Sequence, residues 1–153
     1  MTNEGELKFL VYRIGSEMFA SPLLSIREVL EFQTPKPMPN MTPSFSGVVN
    51  VRGAIVGVID LRHKFQQKVS NGSRTPFLLC QTERGTIAAV VDSVEKVQEF
   101  VEDQIERRPP ISTKVEQNFL IGVAKDGGHL ITLVDIDKLL NDQEYKNVSG
   151  EAK

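Results

Sequence analysis

Residues 53–60 have the sequence GAIVGVID, in which a glycine is followed by six mostly apolar residues and an aspartate. The same pattern recurs at residues 85–92, GTIAAVVD, and at residues 128–135, GHLITLVD. Each copy predicts a turn at the glycine, a buried strand of about six residues, and an aspartate that accepts hydrogen bonds from the following backbone amides. The spacing between the copies is irregular, which favours an internally duplicated β fold over a solenoid with a constant period.

Further strands are predicted around these three copies. Leu7 to Ile14 is rich in apolar β-formers and predicts a strand covered on both faces, which ends at a Gly-Ser-Glu turn. Met18 to Leu24 is its hairpin partner, and Pro22 pushes that partner toward a sheet edge or an early end. Two more strands are predicted at Pro76 to Thr82 and at Phe119 to Ala124.

Helical patterns are short. Ser25 precedes Ile26, Val29 and Leu30 at helical spacing, and Glu28 stands three residues after it, which is a capping-box pattern. This pattern predicts a short helix that presents its three apolar side chains inward. A second short helix is predicted from 137 to 140, whereas residues 94–105 fit both a helical and a strand period.

Four prolines between residues 35 and 43 indicate an extended connector, because proline lacks a backbone donor. The same stretch could be a ligand for a proline-reading module, although a connector between two buried strands explains it more simply. In total the sequence predicts seven to ten short strands with two or three short helices. That profile is typical of small barrels or a sandwich.

Composition limits the class of protein. The 153 residues suit one domain, and 18 Lys and Arg against 20 Asp and Glu give a net charge of -2, without the basic face of a nucleic-acid reader. The polar, acidic start does not resemble a signal peptide, and apolar runs are shorter than the ~18 to 20 residues of a membrane-spanning helix. We therefore expect a cytoplasmic protein without direct membrane insertion, with Cys80 as a buried thiol.

Catalytic constellations are not found in the sequence. His63 and His129 are the two histidines, and with Cys80 they fit neither a catalytic triad nor a zinc site. Phosphate-binding glycine motifs are also missing. The sequence therefore predicts no catalytic residue, no cofactor and no metal.

The repeated aspartates Asp60, Asp92 and Asp135 leave one rival hypothesis open. In a metal-dependent enzyme the three carboxylates would converge within about 4 to 6 Å around one ion. If they cap turns instead, they lie apart at separate strand ends.

Four stretches in order resemble CheW-like domains, the family of the bacterial chemotaxis coupling protein. They are residues 7–24, LKFLVYRIGSEMFASPLL, with IREV at 26–29; residues 47–65, GVVNVRGAIVGVIDLRHKF; residues 87–94, IAAVVDSV; and residues 120–140, LIGVAKDGGHLITLVDIDKLL. The most specific parts are Asn50-Val51-Arg52-Gly53 and Asp60-Leu61-Arg62. The resemblance spans about residues 7 to 141.

This resemblance implies a mainly β fold, with two packed five-stranded, SH3-like β-barrels and a few short helices. Both barrels would belong to one domain at residues 7–141, between an N-terminal tail at 1–6 and a polar C-terminal tail at 142–153. It also implies a non-catalytic adaptor, without cofactors, that is recruited to membrane-associated receptor arrays. The implied partners are the regulatory domain of a CheA-type histidine kinase and the cytoplasmic tip of methyl-accepting chemoreceptors. An adaptor of another chemosensory pathway, governing pili or gene expression, has the same sequence features.

The resemblance also assigns partner-binding residues by position. They are Ile26, Glu28, Val29, Gly47, Asn50, Arg52, Val97 and Ile111. Two of them have alternative explanations within the fold: Arg52 could form a structural salt bridge, for example with Glu28, and Glu28 could belong to the capping box.

Overall fold

The computed structural model describes residues 8–65, 75–107 and 119–139. Eleven strands make up most of these residues, one more than the upper number predicted from the sequence. The strands are β1 (Lys8–Ile14), β2 (Glu17–Pro22), β3 (Ile26–Leu30), β4 (Phe45–Val51), β5 (Ala54–Asp60), β6 (Phe77–Thr82), β7 (Gly85–Val90), β8 (Ser93–Glu99), β9 (Ile105–Arg107), β10 (Leu120–Asp126) and β11 (His129–Val134). One α-helical turn, α1, covers Leu61–Lys64, and 3-10 turns cover Leu23–Ser25, Glu102–Gln104 and Ile136–Lys138.

The strands form two sheets, one of six strands in the order β8-β1-β2-β11-β10-β9 and one of five in the order β3-β6-β7-β5-β4. Neighbours are antiparallel except for two parallel pairs, β2 with β11 and β5 with β7. The three repeated Gly-x6-Asp units correspond to β5, β7 and β11. The prediction of a mainly β fold with two packed, SH3-like units is confirmed, although the described residues form sheets of six and five strands in place of two closed five-stranded barrels.

The sheets are related by an internal duplication in which the halves are interlaced. The first half, β1 to β5, places its opening hairpin in the six-stranded sheet and β3, β4 and β5 in the other. The second half, β6 to β11, places its opening hairpin in the five-stranded sheet and β8 to β11 in the six-stranded sheet. The strand registers also match across the halves. β5 pairs with β7 at Gly57↔Ile87, and β11 pairs with β2 at the equivalent residues, Thr132↔Phe19. Each sheet therefore contains strands from both halves of the chain.

The hydrophobic core connects the two sheets. Its largest cluster includes Leu10 and Tyr12 from β1 together with Leu78 and Cys80 from β6, all at most 5% exposed. The opposite side chains of β1 and β6 are also buried, in a separate cluster within each sheet. The burial of both faces explains why these strands are almost continuously apolar, and β1 is covered on both faces as predicted.

The predicted helix at Ser25 to Leu30 is wrong. A 3-10 turn ends at Ser25, and residues 26–30 form the edge strand β3, which is antiparallel to β6. A helix of about one and a half turns gains few internal hydrogen bonds for the residues it orders, whereas pairing with β6 supplies a complete partner strand. The β-branched Ile26 and Val29 also favour the strand. Glu28 is therefore not part of a capping box.

The remaining predictions have mixed outcomes. Residues 93–99 form strand β8, which settles the ambiguous period at 94–105 in favour of alternation. β2 ends at Pro22, as the proline predicted. The proline-rich connector contributes one isolated bridge, Lys36↔Val48, to the ladders among the described residues. A 3-10 turn at Ile136–Lys138 replaces the last predicted helix, whose final residue, 140, lies outside the described residues. None of the described helices is long and apolar enough to cross a membrane.

Candidate functional site

Three of the predicted partner-binding residues lie on the edge strand β3. A bulge at Arg27 shifts the register, so that Ile26 lies opposite Cys80 and Val29 opposite Leu78. Both therefore lie on the side that faces the core between the sheets, where Ile26 packs against that core and Val29 remains 46% exposed. Glu28 lies on the other side of the strand.

Arg52 and Asn50 belong to the β4–β5 hairpin. The two residues at its tip, Arg52 and Gly53, have φ of 48° and 89°, and the Asn50 side chain accepts a hydrogen bond of 2.8 Å from the Gly53 amide. Two positive φ values are the geometry of a type I′ turn, which suits the right-handed twist of the strands. Arginine is strained there, because its Cβ crowds the following carbonyl group. The equivalent β10–β11 turn has glycine at both positions, Gly127 and Gly128. Strained residues of this kind cluster at functional sites, which favours a functional role for Arg52.

The Arg52 guanidinium pairs with the Glu28 carboxylate. This hydrogen bond, together with the charge of Glu28, raises the pKa of Arg52 above its ordinary value. β3 and β4 are opposite edges of the five-stranded sheet, so the pair shows that this sheet curls enough for a side chain of one edge strand to reach the hairpin tip beside the other. The predicted alternative of a salt bridge between these two residues is thus confirmed. With side chains 67% and 36% exposed, the pair adds little to stability and is accessible to a partner.

Gly47 is buried in β4, beneath the proline-rich connector. A Cβ built on it would lie 2.2 Å from the backbone oxygen of Lys36, and its φ is 132°. The glycine therefore allows the connector to cross directly over the strand. This contact explains Gly47 without any partner, and contact with a partner remains a prediction.

Val97 lies on β8, the strand equivalent to β3. β8 pairs with β1 at Val94↔Tyr12 and Val97↔Leu10, with a bulge between Tyr12 and Val11 that matches the irregularity in β3. Val97 thus occupies in the six-stranded sheet the position that Val29 occupies in the five-stranded one. It is 56% exposed.

The equivalence extends to a second ion pair that sequence reasoning missed. Lys96 of β8 corresponds to Glu28, and its Nζ lies 3.5 Å from an oxygen of Asp126, at the end of β10 beside the β10–β11 turn. The two pairs have opposite polarity, with the acid on the edge strand in one sheet and the base in the other. Comparing IREV at 26–29 with VEKV at 94–97 could have revealed this relation.

Exposed aliphatic side chains follow the two hairpin turns at matching positions. Ile55, the second residue of β5, is 67% exposed, and Leu130, the second residue of β11, is 66% exposed. Neither was predicted as a site residue. Their exposure was not readable from the sequence, because each stands within an apolar run. The last predicted residue, Ile111, lies outside the described residues.

The repeated aspartates are explained by capping at two of three positions. Asp60 accepts from the Arg62 amide at 2.9 Å, and Asp135 accepts from the Asp137 amide at 3.0 Å. Asp92 differs from the prediction, because it accepts from the distant Gly15 amide at 2.5 Å and lies 3.4 Å from the Arg62 guanidinium. Asp60 and Asp92 thus face a side-chain cation, and no group of three potential metal ligands occurs within residues 8–65, 75–107 and 119–139.

Cys80 is a buried residue of β6, as predicted. Its side chain lies in the core between the sheets, and burial raises the pKa of the thiol to about 12. A thiol in this state is a poor nucleophile, because the thiolate is the reactive form.

Two interlaced, curled sheets with an exposed valine and an ion pair on each equivalent edge strand define a β-sheet interaction domain. The chain belongs to the family of CheW-like domains, whose family model matches residues 8–144.

Known members resemble the chain over almost its whole length. Chemotaxis protein CheW of Klebsiella aerogenes is 32% identical over 147 residues, covering 95% of this chain and 89% of that protein. Chemotaxis protein CheW of Thermotoga maritima is 26% identical over 144 residues, which are 92% of each. The crystal structure of scaffolding protein TtCheW from Thermoanaerobacter tengcongensis has the same fold, with a TM-score of 0.81, 24% identity, and coverage of 91% of this chain and 95% of that one.

Proposed function

We propose that this chain is a non-catalytic adaptor that couples methyl-accepting chemoreceptors to a CheA-type histidine kinase. The observation that supports this most directly is the pair of equivalent edge strands, β3 and β8, one on each sheet. Each carries an exposed valine and a partly exposed ion pair, and the two ion pairs are reversed in polarity. A protein with two similar but electrostatically distinct surfaces can hold two different partners at once.

The two partners are the regulatory domain of the kinase and the cytoplasmic tip of the receptor. Membership of the CheW-like family and the chemotaxis names of its relatives support this choice. A scaffolding role, the one named for TtCheW, requires only binding surfaces and no catalytic group. The adaptor would act in the cytoplasm, at membrane-associated receptor arrays.

The partner-binding residues are those assigned by resemblance. Val29 and Val97 supply apolar contact area, and Glu28 and Arg52 supply a charged contact beside it. An arginine paired with a carboxylate can exchange one of its hydrogen bonds for a bond to a polar group of the partner. Its charge is then still balanced by the carboxylate when the partner covers it. Gly47 and Asn50 shape the strand and turn that hold Arg52. Ile26 and Ile111 complete the proposed set.

Binding experiments with charge-swapped variants test this proposal. Purified chain is titrated with a CheA regulatory domain and, separately, with a receptor tip fragment. The double variant Glu28→Arg/Arg52→Glu reverses the first ion pair while keeping it intact, and Lys96→Asp/Asp126→Lys does the same for the second. The second double variant is matched to the first, since each leaves the net charge of the molecule unchanged, and it tests the second surface in the same way.

We expect wild type to bind both fragments and the first swap to weaken at least one of them by tenfold or more, with an unchanged circular dichroism spectrum. A different pattern of loss for the two swaps would show that the two surfaces serve different partners. If wild type binds neither fragment, the coupling function is wrong for this chain. Binding that survives both swaps unchanged would place the contact surface elsewhere.

A further inference from the structure

The tip of the opening hairpin of each half is held by a carboxylate that lies just beyond a strand of the opposite sheet. In the six-stranded sheet, the amide of Gly15 in the β1–β2 turn donates 2.5 Å to Asp92, which lies two residues beyond β7 of the five-stranded sheet and directly before β8 of the six-stranded sheet. In the five-stranded sheet, the amide of Glu83 in the β6–β7 turn donates 2.6 Å to Asp137, which follows β11 of the six-stranded sheet. The β6–β7 turn is thus held by a carboxylate that follows the six-stranded sheet, and the β1–β2 turn is held by a carboxylate at the junction between the two sheets.

The duplication shows that these two contacts are built differently. Arg62 and Asp137 occupy equivalent positions, two residues after the capping Asp60 and Asp135, whose side chains accept their amides. Asp137 accepts the turn amide itself. The Arg62 side chain has only hydrogen-bond donors and cannot accept the turn amide. Its guanidinium instead contacts the Asp92 carboxylate, and that carboxylate accepts the amide of the turn.

The Arg62 guanidinium joins two carboxylates in one relay of hydrogen bonds. Its Nε and Nη2 donate to the two oxygens of Asp60 at 3.0 and 2.9 Å, and its Nη1 lies 3.4 Å from Oδ1 of Asp92. The other oxygen of Asp92 takes the Gly15 amide, and the Asp92 amide donates 2.9 Å to the carbonyl of Arg13 in β1. The Arg62 side chain is only 9% exposed, against 67% for Arg52. A bidentate arginine at this depth holds two carboxylates that would otherwise repel each other.

The relay joins the two segments that carry the proposed binding residues. Asp60 ends β5, whose hairpin turn contains Arg52. Asp92 stands where the chain leaves the five-stranded sheet and enters β8, the strand that carries Val97. We propose that Arg62 is a positioning residue which, through Asp92, sets the orientation of the six-stranded sheet relative to the five-stranded sheet, and with it the placement of Val97 relative to Arg52. This role does not depend on which partners bind, so it can fail or hold independently of the coupling function.

The test compares Arg62→Met with Asp137→Ala as the matched control at the equivalent position. Amide hydrogen exchange is followed by NMR at Gly15, at Glu83 and at core amides of β1 and β6, and residual dipolar couplings report the relative orientation of the two sheets. We expect Arg62→Met to speed exchange at Gly15 at least fivefold, to leave Glu83 within twofold of wild type, and to rotate one sheet against the other. Asp137→Ala should speed exchange at Glu83 and leave Gly15 unchanged.

A role in stability alone would give a different result, because global opening raises exchange at all core amides together. Such a uniform rise, or dipolar couplings that fit the wild-type orientation in Arg62→Met, would overturn the proposal. If Arg62→Met does not fold, Arg62→Lys provides the measurement. Lysine keeps a cation between the carboxylates but not the bidentate fork, so Gly15 exchange should rise by twofold to fivefold, and an unchanged rate at Gly15 would equally overturn the proposal.

Discussion

Replacing Gly47 with alanine tests the close crossing of the connector over β4. The new Cβ would lie 2.2 Å from the Lys36 carbonyl oxygen, whereas ordinary contact begins near 3.4 Å, so the two segments must separate by about 1.2 Å. That movement breaks the two backbone hydrogen bonds between Lys36 and Val48, of 2.8 and 2.9 Å, each worth about 1 kcal/mol. The φ of 132° adds about 1 kcal/mol of backbone strain for a residue with a Cβ. We expect Gly47→Ala to lower the free energy of unfolding by about 3 kcal/mol.

Two other glycines separate these contributions. Gly53 has a φ of 89° but nothing within 4 Å of its Cβ position, so Gly53→Ala should cost only the backbone strain, about 1 kcal/mol. Gly122, the equivalent of Gly47 in β10, lacks a positive φ, and its Cβ would lie 2.6 Å from the Glu106 carbonyl oxygen. Gly122→Ala should therefore cost the steric part alone, about 2 kcal/mol.

Urea unfolding followed by far-ultraviolet circular dichroism measures all three variants, since the chain has no tryptophan to report. With a slope of about 2 kcal/mol per molar urea, Gly47→Ala should move the midpoint down by about 1.5 M, three times the shift of Gly53→Ala. A loss in Gly47→Ala no larger than that in Gly53→Ala would refute the steric argument. The crossing would then be able to relax at no cost.

Three further substitutions test the core and the hairpin tip. Because burial raises the pKa of the Cys80 thiol from 9.0 to about 12, the thiol loses its proton in the unfolded protein first, and the free energy of unfolding should fall as the pH rises from 9 toward 12. Denaturation at each pH should show a weaker pH dependence for Cys80→Ala than for wild type. Tyr12→Phe leaves the buried Ser21 hydroxyl, which lies 2.8 Å from the tyrosine oxygen, without its partner, and should lower the free energy of unfolding by about 1 to 3 kcal/mol. Adding Ser21→Ala to the same chain should recover part of this loss in thermal unfolding. Arg52→Gly removes the strain of a positive φ, so the melting temperature of the variant should not fall below that of wild type, while titration should show weaker partner binding. A clear loss of stability would contradict the surface role of the ion pair.

The strand positions were predictable from the sequence because their causes are local. Gly-x6-Asp marks β5, β7 and β11, since a turn glycine, a largely buried strand and a polar strand end each require a particular residue type. The edge strand β3 was not predictable in the same way. Its five residues fit helical spacing equally well, and only the pairing with β6, about fifty residues further along the chain, decides between the two.

The candidate site was predictable only where the family resemblance named it. Lys96 and Asp126 lie thirty residues apart in sequence, and their contact depends on the curling of the six-stranded sheet. Asp92 looked like another turn cap because it shares the spacing of Asp60 and Asp135. Its partners, Gly15 and Arg62, come from the opening hairpin and from α1, and only the tertiary structure brings them together.

Because each half of the chain contributes to both sheets, neither sheet can be completed by one half. The six-stranded sheet needs β1 and β2 as well as β8 to β11, so its first hairpin must wait for strands made about a hundred residues later. Pairings this distant in sequence slow the search for the native state. We expect the protein to fold in a single slow cooperative step, and two fragments cut between β5 and β6 to remain unfolded apart and to acquire structure only when mixed.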